Sequence, residues 1–335
     1  MNKKSKRIIF YIHAGFHKTG TTAIQNFFDL NYERLLKQGV LYPKDIRYND
    51  SFNRGQFAHH YLAWNLGFGN DPQRSEEARN ESKGFDFELA LREEIKASKP
   101  RAVILSSEVF GEKFIDVNLT RLKDFFQGFD LNFIFYIRRH DNVVISDYKN
   151  RVVQGSFTGS IFDYLKLGAF DFNVFFKQYL KYFDPGNIKI RVYEKGQMKG
   201  NLFEDILNEI GVKYQNDFNL PNLTKSNVSL NDAYTEIMRK CNSSFDSKRK
   251  NKLKRVMLKI QEKPARAENS NLLSYDQRLE IINRFMPSYE NIARTFLHRA
   301  NGQLFYEMPE KSKVIADNQS DEELVRLIDE LLGLC

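Results

Sequence analysis

Cysteine is almost absent from this chain of 335 residues, which has only Cys241 and Cys335. Two distant cysteines exclude a disulfide framework and a zinc site built from cysteine ligands. Long hydrophobic runs are also absent, since no segment approaches the roughly 18 apolar residues of a membrane-spanning helix. The apolar run behind the basic N-terminus, IIFYI, is too short for the core of a signal peptide. We therefore expect a cytoplasmic protein without a transmembrane segment.

Composition and charge narrow the class of protein further. With 41% hydrophobic residues and 29 phenylalanines, the chain can bury a sizeable core and does not resemble a disordered segment. Lysine and arginine outnumber aspartate and glutamate by 51 to 43, which gives a formal net charge of +8. This balance predicts an anionic partner without identifying it.

Apolar runs of strand length alternate with helical patterns through the first two thirds of the chain. Strands are predicted at residues 7–12, 102–107, 132–137 and 188–194. Helices are predicted at residues 24–36, 85–97, 119–129, 141–153, 160–183 and 201–210, with a capping box from Ser160 to Asp163. Such alternation is typical of βαβ units. The predicted fold class is therefore α/β, with a P-loop-like, doubly wound, mostly parallel sheet flanked by helices and a helical C-terminal part.

The whole chain is expected to form one domain. Its α/β core is predicted to span residues 1–225, with residues 45–100 as a partly irregular excursion from the core. Residues 226–335 are expected to form a helical extension packed on that core, with helices broken at Pro264 and Pro287.

The stretch HAGFHKTGTTAIQ, residues 13–25, follows the first strand and precedes a helix. A glycine-rich turn at a helix N-terminus is a typical anion site, because unpaired backbone N–H groups and the helix dipole both favour negative charge. Gly15 and Gly20 allow a tight turn and close approach of a ligand. Lys18 supplies a positive charge with three hydrogen-bond donors. The hydroxyl groups available in the loop are those of Thr19, Thr21 and Thr22.

The position of the lysine separates this loop from a nucleotide P-loop. In the nucleotide motif the lysine follows the second glycine directly, whereas Lys18 stands two residues before Gly20. A P-loop NTPase also needs an acidic residue at a neighbouring strand end to organise Mg²⁺, and Ser106 stands there instead. A sulfuryl group carries one negative charge and has no obligatory metal. The loop therefore favours a sulfuryl donor, and no metal is expected.

The loop resembles the 5′-phosphosulfate loop of sulfotransferases that use 3′-phosphoadenosine 5′-phosphosulfate (PAPS). Residues 133–148, FIFYIRRHDNVVISDY, are similar to the 3′-phosphate segment of that family, in which a strand is followed by an arginine and, eight residues later, a serine. Arg138 and Ser146 have this spacing, and Arg139 is expected to face solvent or substrate. The resemblance implies PAPS as the donor and PAP as the product. It implies a donor site made of Gly15, Phe16, His17, Lys18, Thr19, Gly20, Thr21, Thr22, Arg138 and Ser146, with Lys225 and Ser226 from a late loop.

A bacterial-type, carbohydrate-sulfotransferase-like group is the most similar part of the family. Its pattern also appears in residues 35–44, 104–110 and 292–305, so the resemblance covers roughly residues 8–305. The resemblance implies a saccharide or polysaccharide acceptor and no nucleic acid. We expect the excursion at residues 45–100 to build the acceptor pocket.

Sulfuryl transfer needs a base for the acceptor's proton, while Lys18 stabilises charge on the leaving phosphate oxygen. Glu108 follows the second predicted strand, at the sheet edge where ligands bind in parallel sheets, and is the first candidate. His59 and His60 are the alternatives, because an imidazole can act as a base near neutral pH. The sequence leaves this choice open, and it also leaves open a structural role for each of the three.

Two other functions remain open. The first is a small-molecule kinase with the same fold. The second is a non-catalytic polyanion-binding protein using the basic run KRKNKLKR at residues 248–255. That run could equally be a solvated helix face or a contact with a membrane surface.

Overall fold

The structure is a computed structural model. It describes residues 7–16, 18–47, 57–112, 116–168, 170–222, 230–261, 270–311 and 313–314.

A five-stranded, all-parallel sheet forms the centre of the fold. Its strands are β1 (Ile9–His13), β2 (Val40–Leu41), β3 (Ala102–Ser106), β4 (Asp130–Ile137) and β5 (Ile188–Val192), and they lie in the order β2-β3-β1-β4-β5. β1 is therefore central, with β3 on one side and β4 on the other. The register pairs His13 with Ser106 and with Ile134. A second, short pair joins β6 (Ser270–Asn271) to β7 (Lys313–Val314).

Helices occupy most of the remaining described chain. They are α1 (Thr21–Leu30), α2 (Tyr32–Lys37), α3 (His60–Asn65), α4 (Pro72–Glu81), α5 (Phe87–Ser98), α6 (Asp116–Phe125), α7 (His140–Val153), α8 (Ile161–Lys166), α9 (Phe172–Tyr179), α10 (Leu202–Glu209), α11 (Asp232–Cys241), α12 (Ser247–Gln261) and α13 (Tyr275–Leu297). Two 3₁₀ turns lie at Glu108–Gly111 and Pro185–Asn187.

Both faces of the sheet are covered, as a doubly wound fold requires. On one face, Ile134 and Tyr136 of β4 join a buried cluster with Phe27 of α1 and Ile206 of α10. On the other face, Phe135 packs against aromatic rings of α9. Alternate residues of β4 thus point to opposite cores, which explains why the strand reads as a continuous apolar run.

The chain divides into two compact units. The first contains Met1–Arg138, Phe172–Asn222 and Ser288–Tyr306, and it includes the whole five-stranded sheet. The second contains Arg139–Asp171, Leu223–Pro287 and Glu307–Cys335. Its helices include α7, α8, α11 and α12, and its hydrophobic residues Tyr148, Val152, Met238 and Met257 are buried.

The predicted α/β fold with a parallel sheet and a helical C-terminal part is confirmed. The four predicted strands appear within two residues of their expected ends, and the capping box from Ser160 to Asp163 is present. β2 was missed, because two residues carry no periodicity.

Four details of the prediction were wrong. Residues 24–36, predicted as one helix, belong to two helices, α1 and α2, which are separated by Asn31. Residues 160–183 form two helices, because Gly168 with φ of +86° ends α8. Pro287 lies inside α13, where buried Phe285 and Tyr289 on either side stabilise the helix against the missing hydrogen bond. The excursion also holds two unpredicted helices, α3 and α4. Pro264 lies outside the described residues.

Candidate active site

Two residues near the end of the loop between β1 and α1 have a left-handed backbone conformation. Lys18 has φ of +67°, and Gly20, the residue before the helix, has φ of +81°. Among the described residues, no side chain caps α1, and its first turn contains no acidic residue. By contrast, α4, α5, α8, α10 and α11 each begin with a side-chain cap. The N-terminus of α1 therefore presents N–H groups and a positive dipole end that the described side chains do not compensate.

Glycine avoids close contacts at three positions around this loop. A Cβ at Gly15 would lie 2.0 Å from Oγ1 of Thr21, and a Cβ at Gly20 would lie 2.6 Å from Leu202. A Cβ at Gly111, in the 3₁₀ turn after β3, would lie 3.0 Å from the carbonyl oxygen of Gly15. The absence of these three side chains lets the loop pack against α1 and the 3₁₀ turn.

The loop side chains take different roles. Phe16 packs into the aromatic core against Phe135 and α9, so only its backbone remains for a ligand. The Thr19 hydroxyl donates to the carbonyl oxygen of Phe16 at 2.6 Å and thereby shapes the loop. Thr22 is exposed. Oγ1 of Thr21 is buried and has no hydrogen-bond partner among the described residues. Such an unsatisfied hydroxyl is costly and fits a site that receives its partner from a ligand.

Arg138 follows β4 directly and contacts the same loop. Its Nη1 lies 3.4 Å from the carbonyl oxygen of Lys18, and its guanidinium lies 5.8 Å from the ring centroid of Tyr193. Because β1 and β4 are neighbouring parallel strands, their carboxyl ends bring Lys18 and Arg138 together. Two cationic residues thus flank the N-terminus of α1.

The remaining residues of the predicted donor site have separate locations. Ser146 is half-buried on α7, in the second unit. His17, Lys225 and Ser226 lie outside the described residues. Arg139, which was expected to face solvent or substrate, is buried and bonded to Asp141, so that expectation was wrong.

Glu108 opens the 3₁₀ turn that follows β3. Its Oε2 accepts a hydrogen bond of 3.2 Å from Nε2 of Gln25 on α1, and its Oε1 lies 3.9 Å from Nε2 of His60. Nδ1 of His60 lies 2.7 Å from Oγ of Ser107. Burial lowers the pKa of His60, although the charge of Glu108 opposes that shift. A neutral imidazole and an amide therefore lie beside a carboxylate whose side chain is 29% exposed.

His59 is fully buried, and both of its ring nitrogens have backbone partners. Nε2 lies 3.0 Å from the carbonyl oxygen of Pro43, and Nδ1 accepts the N–H of Ser106 at 3.0 Å. Burial lowers the pKa of His59 to about 3. The ring consequently has no lone pair for a substrate proton, and its contacts assign it to holding the excursion against β3.

His13 ends β1 and is also fully buried. Its Nδ1 lies 2.8 Å from Oγ of Ser106, its register partner, while Nε2 has no hydrogen-bond partner among the described residues. Burial lowers the pKa of His13 to about 4, so the ring is neutral at neutral pH.

Sequence reasoning missed Gln25 and Gly111. Gln25 stands four residues after Thr21, one helical turn further along the same face of α1. That spacing was readable, but its partner Glu108 is 83 residues away, so the contact depends on the fold.

The basic run at residues 248–255 lies in α12. Most of its cationic side chains are exposed, whereas Leu253 and the following Val256 are buried. Within the described parts of the chain, no group of three or more His, Cys, Asp or Glu residues is placed to hold a metal ion. No helix of these parts has the length and apolar character needed to cross a membrane.

Three solved structures of sulfotransferases are similar to this chain at low sequence identity. No protein-family profile matches this chain, and no curated protein matches it. Similar solved structures include the sulfotransferase domain from the curacin biosynthetic pathway, with 14% identity over 63% of this chain and 75% of that chain and a TM-score of 0.38. A sulfotransferase from Alicyclobacillus acidocaldarius is 16% identical over 88% of this chain and 96% of that chain, with a TM-score of 0.40. The sulfotransferase domain from the Synechococcus PCC 7002 olefin synthase is 12% identical over 83% of this chain and 94% of that chain, with a TM-score of 0.35. Likenesses at these TM-scores establish neither the family nor the activity of this chain, and both must be argued from its own residues.

Proposed function

We propose that this protein is a PAPS-dependent sulfotransferase that moves a sulfuryl group to a hydroxyl or amine acceptor. The observation that carries the proposal is the β1–α1 loop, where Lys18 and Arg138 flank an uncapped helix N-terminus. The resemblance of this loop to the phosphosulfate loop of the PAPS-dependent family supplies the chemical identity of the anion.

The residues present fit such a donor. The buried Thr21 hydroxyl has no hydrogen-bond partner among the described residues, and glycine at positions 15 and 20 lets the loop pack closely against Thr21 and Leu202. Backbone N–H groups at the start of α1 would hold the 5′-phosphosulfate with Lys18, and Arg138 would hold the 3′-phosphate. Ser146 remains a predicted ligand of that 3′-phosphate. When bound, PAPS supplies an activated sulfuryl group with one negative charge.

Two side chains of the protein have separate roles in the transfer step. Lys18 neutralises charge that develops on the leaving phosphate oxygen, which is the largest contribution in most group transfers. Glu108 takes the acceptor's proton. We choose Glu108 over His59 because both nitrogens of His59 are engaged with backbone, and over His60 because the Glu108 side chain is more exposed.

We place the acceptor pocket in the excursion at residues 45–100. A shallow surface depression of about 410 Å³ lies among α3, α5 and the end of α6. Its walls include Leu62, Phe87 and Phe125, so it would contact an apolar face of the acceptor. A carbohydrate is the proposed acceptor, on the strength of the family resemblance. A screen with radiolabelled PAPS over neutral and acidic polysaccharides tests this, and transfer to small phenols alone would contradict it.

Ligand-dependent stability tests the donor. PAP at 100 times its dissociation constant should stabilise the protein by about 2.7 kcal/mol, and Mg²⁺–ATP at the same concentration should stabilise it less. The Lys18→Ala variant provides the control, since its response to PAP should decrease. Stronger binding of Mg²⁺–ATP than of PAP would support a kinase and overturn the proposal.

A polyanion-binding function has one observation in its favour. The α12 segment Ser247–Gln261 contains seven cationic and no acidic residues. Binding of heparin that falls steeply with salt and is lost on replacing Lys248, Arg249 and Lys252, but is unaffected by Lys18→Ala, would favour this second function.

A further inference from the structure

The Glu108 carboxylate has a hydrogen-bond donor on one helix and an imidazole nitrogen just beyond hydrogen-bond distance on another. Gln25 on α1 donates to Oε2 at 3.2 Å, and Nε2 of His60 on α3 lies 3.9 Å from Oε1. Gln25 is 4% exposed and His60 is 8% exposed, so both are held by their surroundings. The two oxygens of one carboxylate therefore have separate neighbours on rigid elements.

The proton of His60 can be assigned from its partners. Burial lowers the pKa of the ring, so at neutral pH it carries a single N–H. The carboxylate of Glu108 beside Nε2 favours the proton there. Nδ1 is then an acceptor, and the hydroxyl of Ser107 at 2.7 Å is its donor.

Ser107 connects this ring to the backbone that carries Glu108. Its Oγ also accepts the N–H of Val109 at 3.2 Å, which caps the 3₁₀ turn that Glu108 opens. A single buried hydroxyl thus fixes both the turn and the tautomer of His60.

We propose that Gln25, His60 and Ser107 are positioning residues that hold the Glu108 carboxylate for proton transfer, an inference that rests on the proposed function. The Gln25 amide, which donates to Glu108, and the His60 ring beside it are both neutral, so they orient the carboxylate while leaving its negative charge in place. In the step they serve, the acceptor hydroxyl transfers its proton to Glu108 as its oxygen bonds to sulfur. The bond from sulfur to the phosphate oxygen breaks, and PAP leaves with that electron pair.

Two substitutions at His60 separate positioning from base catalysis. His60→Gln places an amide N–H near the site of Nε2–H but provides no titrating base, whereas His60→Ala provides neither. Two reactions are measured: sulfuryl transfer from PAPS to dextran, and hydrolysis of PAPS alone to PAP and sulfate. In both, His60→Ala should lower kcat ten- to a hundredfold at unchanged KM for PAPS. His60→Gln should recover at least half of that loss on a logarithmic scale. Equal losses in both variants would make His60 the base and overturn the proposal.

Gln25→Met tests the amide donor with little change in volume. Its kcat should fall about tenfold, and the acid limb of its pH profile should move to higher pH, because a hydrogen bond to the charged form of Glu108 is removed. Gln38 after α2 also donates from a side-chain amide, in its case to the carbonyl oxygen of Lys213 at 3.0 Å, so Gln38→Met is the matched control and should not shift the acid limb. An unshifted profile in Gln25→Met would contradict the proposal.

An NMR measurement tests the arrangement independently of turnover. Long-range ¹H–¹⁵N spectra of histidine-labelled protein should show His60 as the Nε2–H tautomer, assigned by its absence in His60→Gln. Ser107→Ala should mix the tautomers. A pure Nδ1–H ring in the parent protein would overturn the proposal, whatever the activity. Failure to bind PAP with the tautomer as expected would instead refute the proposed function and leave this geometry intact.

Discussion

Two strand-to-helix junctions of this chain, from β1 to α1 and from β4 to α7, are built with opposite electrostatics. The first turn of α1 contains no acidic residue, and no described side chain caps it. The first turn of α7 contains Asp141, which is fully buried and accepts hydrogen bonds from Arg139 and Arg278. Because a helix N-terminus favours negative charge, α7 carries its own anion, whereas α1 lacks one from the described residues. This difference favours α1 over α7 as the position of an external anion.

The largest expected effect comes from removing the internal anion of α7. Asp141→Ala leaves Arg139 and Arg278 buried without their carboxylate, which should cost about 3–5 kcal/mol of folding stability. Urea denaturation measures it. Asp217→Ala, which removes an exposed partner of Arg34, is the control and should cost less than about 1 kcal/mol. Equal effects in the two variants would mean that the Asp141 network is not important for the stability of α7.

The second effect removes the lysine of the loop that precedes α1. Lys18→Ala should lower the kcat for conversion of PAPS to PAP about 100- to 1000-fold. It should leave the midpoint of urea unfolding unchanged. Lys99→Ala is a matched control, because Lys99 is an exposed lysine that also has a positive φ, of +50°, at the end of α5. If Lys18→Ala retained full activity, the role assigned to this loop would be wrong.

The comparison also shows what the sequence could and could not predict. The glycine-rich loop and its helix were predictable, because Gly15, Lys18 and Gly20 lie within six residues and follow an apolar run. The buried state of Arg139 was not, because Arg278 reaches Asp141 across 137 residues of sequence. Helix α4 was missed because only Ser75 and Ala78 are buried on it, so it has no apolar stripe.

Buried histidines make both junctions sensitive to acid. Burial lowers the pKa values of His13, at the end of β1, and His140, at the start of α7, to about 4. Their unfolded pKa is about 6.5, so between these values the unfolded state binds more protons, and stability falls as pH decreases. Each ring should lower the folding stability by about 2 kcal/mol at pH 5 relative to pH 7.5.

Urea denaturation of histidine variants at pH 7.5 and pH 5 measures the contribution of each ring to this pH dependence of stability. His13→Gln and His140→Gln should each reduce the stability difference between pH 7.5 and pH 5 by about 2 kcal/mol. His298→Gln, at an exposed position after α13, serves as the control and should leave the difference as it is in the parent protein. A pH dependence that neither junction variant reduces would show that these rings are not the groups that titrate.

The smallest expected effect on stability comes from giving α1 the anion that α7 already has. Thr22 is exposed in the first turn of α1, so Thr22→Asp should stabilise the unliganded protein by about 0.3–1 kcal/mol through the helix dipole. The same charge should repel a bound anion and weaken PAP binding about tenfold, and calorimetry with Thr22→Asn as the uncharged control separates charge from shape. Opposite signs for stability and affinity are expected only if the ligand occupies the N-terminus of α1. If Thr22→Asp left PAP affinity unchanged, the anion would have to bind elsewhere, and the contrast between the two junctions would have no functional meaning.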